Sequence, residues 1–332
     1  MSLNAGLSRL GDESQYPDEE REVVRVFVAG GAGVIGRRLV PQLVARGHQV
    51  TATTTSEAKL GLLHQLGAEG VVMDGLNAVS VREAVALARP DAIVHEMTAL
   101  SVAHNGKPNF RHPERLAATT NRLRTEGTDH LLAAAEATGV SHVVAQSVAT
   151  WTEVPDGGRV SEEDPLPSEE VEPKMRGMVE ALRRVEDVVG KAGGAALRYG
   201  AFYGPGANDD LLELVRKRRF PLVGDGTGYF NWVHLDDAAS ATVLALEHQA
   251  KGVFNIVDDE PAQVRDWLPY LAESAGMRRP MRLPKWLAQL LAGEMVKIVT
   301  QGRAFSNAKA KRELGWELRY PSWRQGFKAE LA

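Results

Sequence analysis

The chain has 332 residues, 44% hydrophobic and 25% charged, room for one large domain or a domain with a companion lobe. Its 39 basic and 43 acidic residues leave a formal net charge of −4, which offers no face for nucleic acid; the run Arg216-Lys217-Arg218-Arg219 reads as a solvated helix end. No cysteine is present, which excludes disulfides and thiolate chemistry, and no apolar stretch reaches the roughly 18–20 residues of a membrane span.

Residues 1–22 are polar and acidic, with Asp12, Glu13, Asp18, Glu19 and Glu20, and read as a disordered leader. A cytoplasmic protein is expected. From Val23 onward, short β-rich runs alternate with helical stretches. A strand over 24–29 is nearly all apolar, the pattern of a parallel strand covered on both faces. A helix is predicted from about Val34 to Arg46, then a strand over 48–53, a helix over 57–66 and a strand over 70–73. Next come a helix over 80–87, a strand over 91–95, a long helix over 114–138 and a strand over 142–146. A helix over 174–191 and a strand over 195–199 complete the series. Repeated strand–helix alternation with short loops implies a doubly wound parallel sheet. Beyond Gly200, loops such as Gly204-Pro205-Gly206 and Gly224-Asp225-Gly226-Thr227-Gly228 break the rhythm and predict a smaller lobe. Residues 23–200 and 232–258 are assigned to the main domain, and 201–231 with 259–332 to the lobe. The stretch 286–300 reads as an amphipathic helix.

Gly30-Gly31-Ala32-Gly33-Val34-Ile35-Gly36 lies between the first strand and first helix, the arrangement that brings a dinucleotide pyrophosphate onto a helix N-terminus. An acid ending the second strand would hold a ribose diol. Here Thr54, Thr55 and Ser56 stand at that place, with Lys59 and Arg37 nearby, a set better suited to a 2′-phosphate. NADP is therefore favoured over NAD. Asp74 and Gly75, after the third strand, are expected at the adenine rim. Met97, Thr98, Ala99, Gln146, Gly200 and Phe202 are expected toward the nicotinamide.

Further pieces recur in order. They are Asp91-Ala92-Ile93-Val94-His95, Gly127-Thr128, Leu197-Arg198-Tyr199-Gly200, Tyr203-Gly204-Pro205-Gly206, Val233-His234-Leu235-Asp236-Asp237-Ala238, Phe254-Asn255-Ile256 and Leu314-Gly315-Trp316. With the glycine turn, these make the chain resemble the extended short-chain dehydrogenase/reductase family, the NAD-dependent epimerase/dehydratase group. The resemblance implies an α/β fold, a Rossmann-type doubly wound parallel sheet with a smaller C-terminal substrate lobe, and a nicotinamide cofactor. It implies a homodimer packed through the two long helices, and a Ser/Thr, Tyr and Lys at the reaction centre. The chain departs from that last pattern. Its six tyrosines include none with Lys four residues on, and the aligned positions hold Val148, Met178 and Leu182. None of these moves a proton. Ser147, Thr150 and Tyr203 are the remaining catalytic candidates; Trp151, Met178, Phe202 and Arg303 are candidates for the substrate pocket. His95 and His234 read as structural or capping groups. His104 and His112 lack an acidic partner at ligand spacing, so no metal site is expected.

The expected activity is that of an NAD(P)-binding oxidoreductase or epimerase/dehydratase-like protein acting on an unidentified small molecule with substituted proton-transfer groups. The alternatives are a non-catalytic cofactor-binding sensor, and a non-redox enzyme such as a cyclase or isomerase that keeps the cofactor as structure.

Overall fold

The computed structural model describes residues 23–100, 113–149, 158–166, 173–207, 209–293 and 295–331. Thr150, Trp151, His104, His112 and the leader over 1–22 lie outside them. Seven strands form one parallel sheet. In chain order they begin with β1 (Arg25–Ala29), β2 (Gln49–Thr54), β3 (Glu69–Val72) and β4 (Ala92–His95). They continue with β5 (His142–Val148), β6 (Ala195–Tyr199) and, after the lobe strands β7 (Ala201–Tyr203), β8 (Leu222–Val223), β9 (Tyr229–Phe230) and β10 (Trp232–His234), with β11 (Gly252–Ile256). The sheet order is β11-β6-β5-β4-β1-β2-β3. The chain runs outward one way from β1 to β3 and the other way from β4 to β11. Between β1 and β4 the winding therefore reverses, and a crevice opens off the strands' C-terminal ends.

The helices cover both faces because the strands are apolar on both. Val26, Val28, Val94 and Val144 pack under helix α1 (Gly36–Ala45) and the helix Leu235–Glu247. Phe27, Ile93 and Val143 pack on the other face with the helices Ala78–Ala88 and Thr128–Thr138. Boundaries follow local chemistry. Asn77 caps the helix Ala78–Ala88, its side-chain oxygen accepting from the N–H groups of Val79 (3.0 Å) and Ser80 (3.1 Å). Gly47 and Gly139, both left-handed, end the helices before them.

The expected long helix over 114–138 is one rod in three pieces. Pro113–Arg122 and Thr128–Thr138 are α-helical, and Leu123–Gly127 between them is a π-helical turn. Against this rod packs the helix Pro173–Lys191, whose stripe of Met175, Val179, Leu182 and Val185 is buried within the chain. That stripe is spent on the chain's own core, and the outer side carries ion pairs such as Arg184–Asp129 (2.8 Å).

The lobe is a set of two-stranded pairs around an aromatic core. β7 pairs with β10, β12 (Ala262–Gln263) with β9, and β13 (Arg282–Leu283) with β8. Trp232 and Trp267 meet edge to face at 5.0 Å, and Phe327 meets Trp232 at 5.3 Å. Asp237 holds the C-terminal segment: its carboxylate accepts from the N–H groups of Arg319 (2.8 Å) and Tyr320 (2.9 Å). The amphipathic stretch over 286–300 is two helices, Lys285–Ala292 and Met295–Gln301; the backbone turns at Gly293, where φ is +57°.

Candidate functional site

The crevice off β1 and β4 holds a cleft of ≈ 470 Å³. Its floor is the glycine turn. Gly30 has φ +96°, and a Cβ there would lie 2.8 Å from the backbone of Glu96, so only glycine lets β1 turn beside β4. The turn is pinned from β2, where the Thr53 hydroxyl accepts from Gly30 N–H at 3.0 Å. A Cβ on Gly36 would strike the backbone of Gly31, so this glycine lets α1 start directly over the turn. At the start of α1 the N–H groups of Arg37 and Arg38 donate to Gly33 O (3.0 Å) and Ile35 O (2.8 Å), closing the turn onto the helix.

Gly30, Ala32, Gly33, Thr54, Thr55, Lys59, Asp74, Gly75, Met97, Thr98 and Ala99 line this cleft, together with Thr53, Glu96, Thr119 and Leu123. The other residues expected at the cofactor stand elsewhere, each for a local reason. Gly31 backs onto Ala52, Val34 faces solvent, and Ile35 is buried beneath the turn. The Arg37 guanidinium folds back to donate to Ala32 O (3.1 Å), and Ser56 precedes the short 3₁₀ turn Glu57–Lys59. Gln146 donates to Met97 O at 3.2 Å, shaping the wall from behind. Gly200 backs onto Asn231, and the Phe202 ring leans on Tyr199 at 5.3 Å.

The catalytic candidates within the described residues have structural partners. Ser147 is fully buried, and its hydroxyl donates to Glu186 at 2.7 Å on the face opposite Gln146. Tyr203 is buried, its hydroxyl donating to Tyr320 O (3.4 Å) and its pKa driven far up by burial. Val148 and Met178 are half-buried and Leu182 is fully buried. His234 caps the helix Leu235–Glu247, its Nδ1 accepting from Asp236 N–H (3.1 Å), with its ring stacked on Tyr320 at 3.9 Å. His95 is sealed between Thr128 (3.1 Å) and Leu123 O (3.3 Å), and burial draws its pKa down to about 4, so it stays neutral. Arg303 lines a second cleft of ≈ 610 Å³ with Arg159, Tyr229 and Thr300. That cleft lies past β6: Asn231, against Gly200, donates through Nδ2 to Arg303 O at 2.8 Å. Among the described residues, no cluster of His, Asp and Glu forms a metal site.

Glu96 is the ionisable wall residue that sequence reasoning missed. It follows β4, is 8% exposed and lines the cleft. Its Oε1 lies 2.8 Å from the Tyr199 hydroxyl, which is 2.6 Å from Thr242 Oγ1, and the Thr242 hydroxyl donates to Ala238 O (2.8 Å). The Tyr199 hydroxyl donates to Glu96 Oε1. Burial, opposed by the Tyr199 contact, pushes the Glu96 pKa up to about 8. The sign follows. Above the ordinary carboxylate value of 4.5 the unfolded chain releases this proton while the folded chain keeps it, so stability falls as pH rises from there through about 8. Asp258, pushed up to about 9 by burial, acts in the same direction. The measure is therefore the difference between wild type and Glu96→Gln in urea midpoints. Wild type loses more stability than the variant, by on the order of a few kcal/mol between about pH 5 and about pH 8. Equal slopes would remove the proton from Glu96.

The model of the NAD-dependent epimerase/dehydratase family matches residues 26–257. A 3-diazoavenalumate denitrifying reductase from a Streptomyces species is 39% identical over 315 residues, covering 92% of this chain and 100% of that protein. Among solved structures, human epimerase family protein SDR39U1 with NADPH superposes at a TM-score of 0.70 with 20% identity, over 92% of this chain and 98% of that one. The Thermotoga maritima UDP-glucose 4-epimerase with UDP-glucose gives 0.71 with 24% identity, over 92% and 97%. These last two likenesses establish a shared fold.

Proposed function

The chain belongs to the NAD-dependent epimerase/dehydratase family, and from that premise we propose that it is an NADP-dependent reductase acting on an aromatic diazo compound. The observation that carries this reading is the absence of any Tyr-x-x-x-Lys from the sequence. Reduction of a ketone needs a proton for the emerging alkoxide, and the usual tyrosine supplies it. An arenediazonium carbon needs none: a C–H bond forms with the hydride's electron pair, the C–N bond breaks, and dinitrogen leaves with the bonding pair. Charge and atoms balance without an acid. The relative that is 39% identical is named for a denitrifying reduction of this kind of substrate.

The cleft fits the cofactor. Side chains are missing at Gly30 and Gly33, which would let a pyrophosphate approach backbone, and Thr54, Thr55 and Lys59, which line the same cleft, would suit a 2′-phosphate. The bound cofactor supplies the hydride. The residues supply position: the Met97–Ala99 backbone walls the cleft, held from behind by Gln146 and by Thr120, whose hydroxyl accepts from Ala99 N–H at 3.0 Å.

The test incubates the protein with NADPH deuterated at C4 and 4-hydroxybenzenediazonium, following NADPH loss and deuterium in the product phenol. Enzyme-dependent deuterium at the former diazo carbon is expected, with NADPH favoured over NADH. Product no faster than the uncatalysed background, or turnover of simple ketones in its place, would overturn the reading.

A further inference from the structure

Two arginines are buried at the sheet, and they differ in one respect. Arg198, with its side chain 4% exposed, is neutralised by Glu186 through bonds of 2.8 Å from Nε and 2.8 Å from Nη2. Arg124, 3% exposed, faces no carboxylate among the described residues. Its Nη2 reaches Gln146 Oε1 at a long 3.4 Å, and its buried Nε has no partner. Burial draws its pKa down only to about 10, so the guanidinium stays charged at neutral pH. A buried charge without a counter-charge is costly, and an anion bound beside it would offset that cost.

The location fits a ligand. Arg124 sits in the π-helical turn Leu123–Gly127, an irregularity concentrated at functional sites. The preceding residue, Leu123, lines the cofactor cleft. Gln146, which Arg124 touches, stands two positions before Val148 on the same face of β5, and the turn packs against the helix that carries Met178 and Leu182. The cation thus lies beside Gln146 in the C-terminal half of β5, against the helix Pro173–Lys191.

We propose that Arg124 binds an anionic oxygen of the substrate, a carboxylate or an ionised phenol, beside the reacting carbon. The proposal rests on the reading of this cleft as a reductase site, and it narrows the substrate to an aromatic anion. Arg124 is a substrate-binding group in this scheme and transfers no proton.

Binding to the protein–NADP⁺ complex tests it without turnover. Two matched pairs of probes are titrated: cinnamate against methyl cinnamate, and 4-nitrophenolate against nitrobenzene. Wild type is expected to prefer the anion at least about tenfold in one pair, the worth of one charge-assisted bond. Arg124→Gln loses that preference and Arg124→Lys keeps part of it, while affinity for NADP⁺ is unchanged. Removing an uncompensated charge should leave the melting temperature of Arg124→Met equal to wild type or higher. No anion preference in wild type, a preference that survives in Arg124→Gln, or lost NADP⁺ binding with a lowered melting temperature would each overturn the proposal. Anion preference that depends on Arg124, in a protein that does not reduce the diazonium, would retain this site and discard the diazo substrate alone.

Discussion

Gly33→Asp is expected to fold as wild type does and to bind NADPH roughly a hundredfold more weakly. Gly33 is exposed on the cleft lip, its φ is not positive, and a Cβ there would meet only Gly30 O, at 3.1 Å. The fold accepts a side chain once Gly30 O yields by a few tenths of an ångström. The cofactor does not: a carboxylate at that lip faces the pyrophosphate. Two like charges about 4 Å apart repel by about 1 kcal/mol in water and about 4 kcal/mol in a partly screened site, and roughly 3 kcal/mol is a factor of roughly a hundred. Calorimetric titration of both proteins, with their melting curves, decides it. Undiminished affinity in a folded variant would move the pyrophosphate away from this turn.

Glu186→Leu should cost about 3–5 kcal/mol of stability, because it strands the buried Arg198 and leaves the Ser147 hydroxyl without its acceptor. Ser147 and Arg198 are paired across β5 and β6, so the three residues tie two central strands to the helix Pro173–Lys191. The double variant Glu186→Leu with Arg198→Met removes both charges and should recover most of the loss. Urea midpoints for the single and double variants measure the coupling. A single variant within about 0.5 kcal/mol of wild type would mean that water already compensates Arg198.

The sheet was legible because its strands are apolar on both faces: β1, β4 and β5 each begin within a residue or so of the expected place. The glycine turn was legible through the spacing of Gly30, Gly33 and Gly36 after β1. Ser147, a catalytic candidate by residue type, turns instead to Glu186, a partner 39 residues on that the sequence pattern does not reveal. The π turn was not legible, since Leu123-Arg124-Thr125-Glu126-Gly127 contains ordinary helix formers and its geometry depends on packing against the sheet. Arg124 was passed over because arginine on a long helix is an exposed residue by default, whereas here it is 3% exposed. Glu96 was hidden in a similar way, because its partner Tyr199 lies more than a hundred residues downstream. The lobe's two-residue strands carry no periodicity long enough to read.

The π turn also makes length a determinant of the site. Bonds from i to i+5 take up about one residue more than an α-helical turn, so the rod on either side is about 100° out of step with an unbroken helix. Deleting one residue within Leu123–Gly127 would let the rod rewind without a break. Pro113–Arg122 would then rotate about its own axis, taking Thr119 off the rim and Thr120 away from Ala99. Two chains alike at every side chain of this wall, but differing by that one residue, would present different pockets to the same cofactor.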